Sequence, residues 1–270
     1  MSVLLQISDT HFGTEQEPVV TALLDLAKRL EPELVVLSGD VTQRARRAQF
    51  AAARSFADQL PAPVLAIPGN HDIPLYNIAA RMFAPYANYV RAFGSDLEPQ
   101  FESEAFLVLC VNTTRPARHK DGEVSAQQID RIAARLRQAS RDQVCIVVIH
   151  QPVLVIRTED EENLLHGHEA AVRTWSAAGA DIVMGGHIHL PYIRPIVHAF
   201  QLLPRRIWAV QAGTAVSWRI RGNVPNSVNV VRHPPGDLVC SVERWDFEAA
   251  ANAFRCVRAE LLDLDRMAPA

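Results

Sequence analysis

The amino-acid sequence predicts an α/β fold of buried strands and intervening helices. Three observations support this prediction. Short, continuous runs of Val, Ile and Leu recur through the first two thirds of the chain, which is typical of strands covered on both faces. Segments with apolar residues at helical spacing lie between these runs. The last third shows strand patterns separated by turns, which predicts a second, mostly antiparallel sheet that packs on the first or shares its core.

The predicted elements follow one another in chain order. Continuous apolar runs predict strands at 3–7, 34–37, 64–67, 106–111, 144–149 and 181–184. Helical spacing predicts helices at 19–30, 43–60, 125–140 and 169–178, and Ser125 with Gln128 forms the capping-box pattern that begins the third. Further strands are predicted at 206–212, 227–232, 238–247 and 253–262. Segments 74–103 and 155–168 lack a strand pattern, and we expect loops or short helices near a site mouth there.

Composition and charge exclude several classes of protein. A hydrophobic fraction of 49% excludes disorder along most of the chain. The balance of 27 basic against 30 acidic residues gives a net charge of −3, which argues against a polycationic nucleic-acid binder. No apolar run reaches the length of about 18 residues that a membrane span requires. We expect one domain over residues 1–270, with the motifs in about 1–190 and the strands of the second sheet in about 191–270.

The cysteines predict a cytoplasmic protein. None of the four forms a C-x-x-C pair, and Cys110 and Cys145 lie within predicted strands. This pattern favours buried thiols over disulfides or metal thiolates. The first residues also lack the basic segment and the long apolar run of a secretory signal. Together these features predict a reducing compartment.

Side chains that can bind metals or transfer protons follow five of the predicted strands. They are Asp9 and His11 after the first strand, Asp40 after the second, Asn70, His71 and Asp72 after the third, His150 after the fifth, and His187 and His189 after the sixth. Sites in open α/β sheets form at the carboxyl ends of the strands. We therefore expect these distant residues to converge on one rim.

The spacing within each motif suits a shared site. Residues two apart in an extended segment project from one face. Asp9 and His11 are therefore expected to reach one ion together, and His187 and His189 either one ion or two adjacent ions. Glycines at the same turns are expected to allow close approach of the backbone: Gly39, Gly69, Gly185 and Gly186.

The donor set predicts a dinuclear centre. It contains four histidines, two carboxylates and one asparagine, without sulfur. Mixed imidazole and oxygen donors suit Mn, Fe, Zn or Co. There are too many donors for one tetrahedral ion, whereas two ions about 3.5–4 Å apart would use them all. Asp40 is the expected bridge, because its strand lies between the others in the motif order.

The ordered motifs resemble the calcineurin-like metallophosphoesterases. The resemblance covers about residues 1–190 and comprises Asp9-x-His11, Gly39-Asp40, Gly69-Asn70-His71-Asp72, His150 and Gly186-His187-x-His189. Within that superfamily, residues 7–13 and 38–47 look most like bacterial class III cyclic-nucleotide phosphodiesterases. The resemblance implies a four-layer α/β/β/α sandwich of two mixed sheets, with the dinuclear site at the carboxyl ends of the strands.

The resemblance also implies a role for each site residue. Asp9, His11 and His189 would hold one transition-metal ion, Asn70, His150 and His187 the other, and Asp40 would bridge them. His71 would sit beside the phosphate as the catalytic residue, donating a proton to the leaving group or stabilising its charge. Some members have a further acidic residue where this chain has Val41-Thr42-Gln43. The partner that orients His71 is therefore expected to be Asp72 or a backbone carbonyl.

The expected function is hydrolysis of a small phosphodiester, a cyclic nucleotide in the leading hypothesis, by attack of metal-activated hydroxide. The alternatives are a phosphomonoesterase, a pyrophosphate or phospholipid-ester hydrolase, a nuclease and a non-catalytic scaffold. The near-neutral charge weighs against long nucleic acids as partners. Because every ligand position is filled, the scaffold is disfavoured. The sequence is compatible with a homodimer but does not determine one.

Other signals are interpreted as structural. His166-Gly167-His168 is assigned to a polar loop rather than a metal pair, with a role at the site mouth as the alternative. Arg44, Arg46 and Arg47 are assigned to solvent rather than to the site. The aromatic residues between Tyr76 and Phe93 are expected to form a packed helical face rather than a nucleobase platform. Three remaining histidines have no convergent partners and are expected at the surface or in caps: His119, His198 and His233.

Overall fold

The computed structural model describes residues 1–196, 200 and 203–265, and these residues form two six-stranded sheets. The strands are β1 (Ser2–Ile7), β2 (Leu34–Ser38), β3 (Val64–Ile67), β4 (Gln100–Glu102), β5 (Phe106–Cys110), β6 (Val144–Val148), β7 (Ile182–Gly185), β8 (Tyr192–Pro195), β9 (Trp208–Gln211), β10 (Ser227–His233), β11 (Val239–Glu248) and β12 (Ala253–Asp263). The β1 sheet has the order β12-β11-β10-β1-β2-β3, and the β6 sheet has the order β4-β5-β6-β7-β9-β8. Both sheets are mixed, because parallel strands at their centres have antiparallel neighbours.

The helices are α1 (Glu17–Leu30), α2 (Arg47–Ala57), α3 (Ile78–Phe83), α4 (Ala87–Phe93), α5 (Ala126–Leu136) and α6 (His168–Ala178). Four of the helices lie where the apolar spacing predicts them: α2 and α5 are shorter than predicted, and α1 and α6 begin one or two residues earlier. The predicted capping box begins α5: the Gln128 amide donates to Ser125 Oγ at 3.2 Å, and the Ser125 amide donates to Gln128 Oε1 at 3.0 Å. The predicted helix 43–60 begins only at Arg47, because Asp40 is followed by a loop with Ala45 at positive φ.

Three hydrophobic cores separate four layers. Alternate residues of β1 point to opposite faces, so Leu4 lies in the core between the sheets while Leu5 lies under the helices. The central core joins residues such as Leu4 and Val36 of the β1 sheet to Val108 and Ile146 of the β6 sheet. The outer cores pack α1 and α2 on the β1 sheet, and α5 and α6 on the β6 sheet. The predicted α/β/β/α sandwich is therefore confirmed.

The expectation that the C-terminal strands form a sheet of their own is wrong. β10 pairs with β1, from Ser2 opposite His233 to Gln6 opposite Asn229, and so extends the first sheet. β9 instead runs parallel to β7 in the other sheet. The N-terminal strands are divided as well, since β1–β3 and β5–β7 belong to different sheets. Apolar patterns identify strands but do not specify their partners, which explains this error.

The two segments without strand patterns contain short elements. Segment 74–103 holds α3, α4 and the three-residue β4, and segment 155–168 holds a 3₁₀ helix at Thr158–Asn163. The predicted burial of Cys110 and Cys145 in strands is observed. Among the described residues, no helix combines the length and the apolar character needed to cross a membrane.

Candidate active site

The carboxyl ends of strands from both sheets meet at one place. Asp9, Asp40 and Asn70 follow β1, β2 and β3, which are adjacent strands with β2 in the middle. His150 and His187 follow β6 and β7 of the facing sheet. The predicted convergence of these residues therefore occurs, although across two facing sheets rather than along one rim.

The first group of donor atoms belongs to Asp9, His11, Asp40 and His189, and these atoms all lie within 4.8 Å of one another. The Nε2 atoms of His11 and His189 are 3.0 Å apart. Asp9 Oδ1 lies 3.3 Å from His189 Nε2, and Asp40 Oδ2 lies 3.7 Å from His11 Nε2. Two imidazoles and two carboxylates thus point their donor atoms at a common centre.

The second group shares one member with the first. Donor atoms of Asp40, His150 and His187 also lie within 4.8 Å of one another. Asp40 Oδ1 is 3.3 Å from His150 Nε2. Asn70 Oδ1 is 3.0 Å from His187 Nδ1, which adds an amide oxygen to this group. Asp40 is therefore common to two adjacent donor groups.

Backbone carbonyls orient the histidine rings. His150 Nδ1 lies 2.9 Å from the Ser38 carbonyl, and His189 Nδ1 lies 2.7 Å from the Arg219 carbonyl. A carbonyl only accepts, so each Nδ1 carries the hydrogen and leaves Nε2 as the donor atom toward the centre. His150 Nε2 is buried and makes no hydrogen bond among the described residues. Such an atom suits a metal ion.

The pKa shifts of the donor residues in the metal-free protein also indicate that this site requires positive charge. Burial lowers the pKa of His11 and of His187 to about 3, so these two rings are neutral donors. Burial also opposes the charged form of His150, but the Asp40 carboxylate outweighs it and raises the pKa to about 9. Buried carboxylates without metal are thus compensated by imidazolium. The donor set of imidazole nitrogens and oxygens, without sulfur, fits divalent transition-metal ions.

The backbone at the donor residues is not extended, contrary to expectation. Asp9, His11, Asp40, His187 and His189 have φ angles of 51°, 44°, 44°, 74° and 55°. These values lie in the left-handed region, which non-glycine residues seldom adopt and which the surrounding structure must hold in place. Asp9 and His11 reach the same donor group by this turn rather than by strand alternation.

At two glycines of the site, neighbouring atoms lie too close to leave room for a side chain. A Cβ on Gly69 would lie 2.1 Å from the Asp40 amide nitrogen, and one on Gly186 would lie 2.4 Å from Asp9 Oδ2. Any larger residue at either position would displace a carboxylate of the site. The prediction that glycines allow close backbone approach here is confirmed.

His71 lies beside both donor groups and belongs to neither. Its Nδ1 is 3.0 Å from the Gln43 carbonyl, and its amide donates to Asp40 Oδ1 at 2.8 Å. Of the two partners expected for this ring, the backbone carbonyl is the one observed. Asp72 instead accepts hydrogen bonds from the amides of Val41 and Gly69, each at 2.9 Å, and so ties the loop after β2 to the loop after β3.

A family model, the calcineurin-like phosphoesterases, matches residues 2–191. The chain belongs to this family. Membership confirms the resemblance noted in the sequence and the expectation of an enzyme that hydrolyses phosphoesters.

Relatives and solved structures agree with this family. The chain is 27% identical over 203 residues to a probable cyclic nucleotide phosphodiesterase of Synechococcus, covering 71% of this chain and 74% of the relative. It is 23% identical to a cAMP/cGMP dual specificity phosphodiesterase of Mycobacterium tuberculosis, covering 69% of this chain and 61% of the relative. A dimetal phosphatase from Danio rerio has the same fold, with a TM-score of 0.66 at 13% identity, covering 98% of this chain and 99% of that one. A purple acid phosphatase from yellow lupin has a TM-score of 0.74 at 14% identity, covering 98% of this chain and 54% of that one.

A cavity of about 490 Å³ adjoins the donor groups of this phosphoesterase. Its walls include Lys120, Trp218, Arg219, Ile220 and Arg221. Sequence reasoning missed these residues because they follow no strand-end motif. The available signal was the alternation of apolar and basic residues from 218 to 221, between the predicted strands 206–212 and 227–232.

The described histidines and arginines that are interpreted from the sequence as structural lie outside the two donor groups. His166 is exposed, and the ring of His168 contacts the Leu165 carbonyl at 2.8 Å. His119 is exposed as expected, whereas the expectation is wrong for His233, which is buried at the end of β10 with Nε2 3.0 Å from the Asp142 carbonyl. Arg44 lies over the Tyr76 ring, 5.5 Å from its centroid. His198 lies outside the described residues.

The aromatic residues between Tyr76 and Phe93 lie partly in the core and partly at the surface. Tyr89 is buried against Phe50 and Phe93, with ring centroids 6.0 Å and 5.4 Å away. This contact agrees with the predicted packed face. Tyr76 and Phe83 are exposed and take no part in it.

Proposed function

We propose that this chain is a dinuclear, metal-dependent phosphodiesterase that acts on a small phosphodiester, with a cyclic nucleotide as the leading substrate. The observation that carries the proposal is the position of Asp40 in both donor groups. A carboxylate with one oxygen toward each group can hold two ions close together, which is the geometry that phosphoryl hydrolysis uses.

The donor groups suggest how the ions would be held. Asp9, His11 and His189 would bind one ion, and Asp40 would be shared. Asn70, His150 and His187 would bind the other. When bound, two ions of Mn, Fe, Zn or Co would supply Lewis-acid stabilisation of phosphate oxygens and lower the pKa of a water nucleophile.

His71 is the proposed acid at the leaving oxygen. The Gln43 carbonyl holds the hydrogen of Nδ1, so Nε2 is the atom that exchanges a proton with substrate. The ring is in edge-to-face contact with His11, with centroids 4.9 Å apart, which places it directly beside the first donor group. The Asp40 carboxylate holds the same residue by its amide, so the position of the acid depends on the shared ligand.

The names of the relatives support a diester substrate. The Synechococcus and M. tuberculosis proteins are named as cyclic nucleotide phosphodiesterases, and an Enterobacter protein 28% identical over 172 residues is named as a glycerophosphodiester phosphodiesterase. All three names describe diester hydrolysis. A nuclease is less well supported, because the chain carries a net charge of −3.

An activity panel tests the proposal. Metal-free protein is loaded separately with Mn²⁺, Zn²⁺, Co²⁺ or Fe²⁺ and assayed on cyclic AMP, cyclic GMP, 2′,3′-cyclic AMP, bis(p-nitrophenyl) phosphate and p-nitrophenyl phosphate. We expect metal-dependent diester hydrolysis above monoester hydrolysis, because a monoester dianion is the poorer electrophile. A monoesterase rate far above every diesterase rate under matched metals would contradict the proposal and assign the chain as a phosphatase.

A further inference from the structure

Four residues of the segment Ser217–Arg221, Trp218 to Arg221, line the cavity beside the donor groups, and backbone hydrogen bonds anchor the segment. The Trp218 amide donates to the Thr14 carbonyl at 3.1 Å, and the Arg219 amide donates to Ser217 Oγ at 3.0 Å. The Arg219 carbonyl accepts from Thr214 Oγ1 at 3.1 Å and contacts the His189 ring. The side chains of this segment are therefore presented to the cavity from a fixed backbone.

The cations of this cavity differ in their partners. Arg221 contacts Asp160 at 2.8 Å and Glu159 at 3.0 Å, and Lys120 contacts Glu162. Each of these two charges is compensated by a carboxylate. Arg219 has no carboxylate partner in the described part of the chain, where its Nη1 instead contacts Gln43 and His71.

These two contacts place the Arg219 guanidinium at the proposed acid. Nη1 donates to Gln43 Oε1 at 2.8 Å and lies 3.3 Å from His71 Nε2. Gln43 also supplies the carbonyl that orients His71. An uncompensated guanidinium beside a phosphate-hydrolysing centre is suited to a phosphate oxygen, because Arg–phosphate hydrogen bonds are charge-assisted and directional.

Apolar side chains flank this arginine on the solvent side. Trp218 is 64% exposed and Ile220 is 43% exposed, and both line the cavity. An indole held exposed by an anchored backbone offers a flat face on which a nucleobase can stack. The phosphate-binding group and the stacking surface are thus consecutive residues.

We propose that Ser217–Arg221 is the substrate-recognition segment of this phosphodiesterase, with Arg219 binding the phosphate and Trp218 stacking on the base of a nucleotide substrate. This inference rests on the proposed function and adds which side chains would select a nucleotide substrate. It assigns the preference for a nucleotide over an aliphatic diester to two neighbouring side chains that belong to no metal-binding motif.

Arg219 is tested with Arg219→Gln and Arg219→Lys, which keep the backbone carbonyl that contacts His189. Loss of one charge-assisted contact lowers kcat/KM for cyclic AMP by about 10- to 100-fold in Arg219→Gln, and Arg219→Lys recovers part of it. The inhibition constant of inorganic phosphate rises in parallel, while the metal content stays unchanged. The control is Arg54→Gln, an exposed arginine on α2. Unchanged phosphate inhibition in Arg219→Gln with metals retained would overturn the assignment.

Trp218 is tested with Trp218→Ala on two diesters, cyclic AMP and glycerophosphoethanolamine. Loss of the stacking contact between the indole and the base raises KM for cyclic AMP by about tenfold or more. KM for the aliphatic diester stays unchanged. Binding of a slowly hydrolysed cyclic AMP phosphorothioate quenches tryptophan fluorescence in the parent and not in Trp218→Phe. Equal effects on both diesters would overturn the stacking role. Absence of diester hydrolysis in the parent protein would instead contradict the proposed function itself.

Discussion

Replacing His71 with alanine should remove the proton donor and leave both metal ions in place. His71 contributes no atom to either donor group, and its ring is fixed by the Gln43 carbonyl at 3.0 Å. The amide of residue 71 still donates to Asp40 in the alanine variant, so the shared carboxylate keeps its contact. The expected defect is therefore confined to chemistry at the leaving oxygen.

The magnitude depends on how strongly the leaving group requires a proton. A general acid contributes about 10²–10⁴-fold, which corresponds to about 2.7–5.5 kcal/mol of activation free energy. A ribose alkoxide requires the whole of this contribution. The p-nitrophenolate ion is far more stable, so we expect its release to lose less than about tenfold.

The assay compares kcat on cyclic AMP and on bis(p-nitrophenyl) phosphate for the parent and for His71→Ala, with metal content measured in the same samples. His166→Ala serves as the control, because His166 is exposed and outside both donor groups. Equal losses on the two substrates with both ions retained would refute the acid role and indicate phosphate positioning. Loss of an ion would identify His71 as a ligand.

Three further predictions concern the metal centre. Asp40→Ala should abolish activity and weaken both ions, whereas His189→Ala should weaken mainly one; retention of two tightly bound ions in Asp40→Ala, measured by elemental analysis, would assign the bridge elsewhere. Because the pKa of His150 is raised to about 9 without metal, the ring is protonated at pH 7 and loading should release protons. Affinity should then weaken as the pH falls below that value, and calorimetry in buffers of different ionisation enthalpy measures the release; a heat independent of buffer would contradict it. Gly186→Ala places a Cβ 2.1 Å from Ser8 Oγ and should cost about 1–3 kcal/mol of stability as well as metal at the Asp9 group; thermal unfolding and metal content unchanged from the parent would show that the loop relaxes freely.

The strand-end motifs could be predicted from the sequence because each follows an apolar run, and an apolar run of that length is a buried strand. The position of Asp40 between the other donors could be predicted from the motif order. In the structure β2 indeed pairs with both β1 and β3. Strand pairing could not be predicted in the same way. Nothing in the apolar pattern of β10 distinguishes β1 from a separate sheet as its partner.

The backbone conformation of single residues could not be predicted from the sequence either. The left-handed φ angles of Asp9 and His11 depend on contacts with other loops, such as the Asp9 amide to the Gly39 carbonyl at 3.1 Å. Arg219 is 30 residues beyond the last motif residue, and its contact with His71 exists only in the folded chain. Local patterns carry no information on such long-range contacts.

The origin of the donors in two facing sheets has a consequence for the lifetime of the fold. Bound ions would join Asp40 of one sheet to His150 and His187 of the other, across an interface held by apolar packing and a few hydrogen bonds such as that from His150 to the Ser38 carbonyl. The sheets cannot then separate until the ions leave, so metal release becomes part of the unfolding barrier. At a hundredfold excess over Kd each independently bound ion also contributes about 2.7 kcal/mol to stability. A chelator should consequently speed unfolding by removing this link between the sheets, and the metal-free protein should unfold faster than the metal-loaded protein.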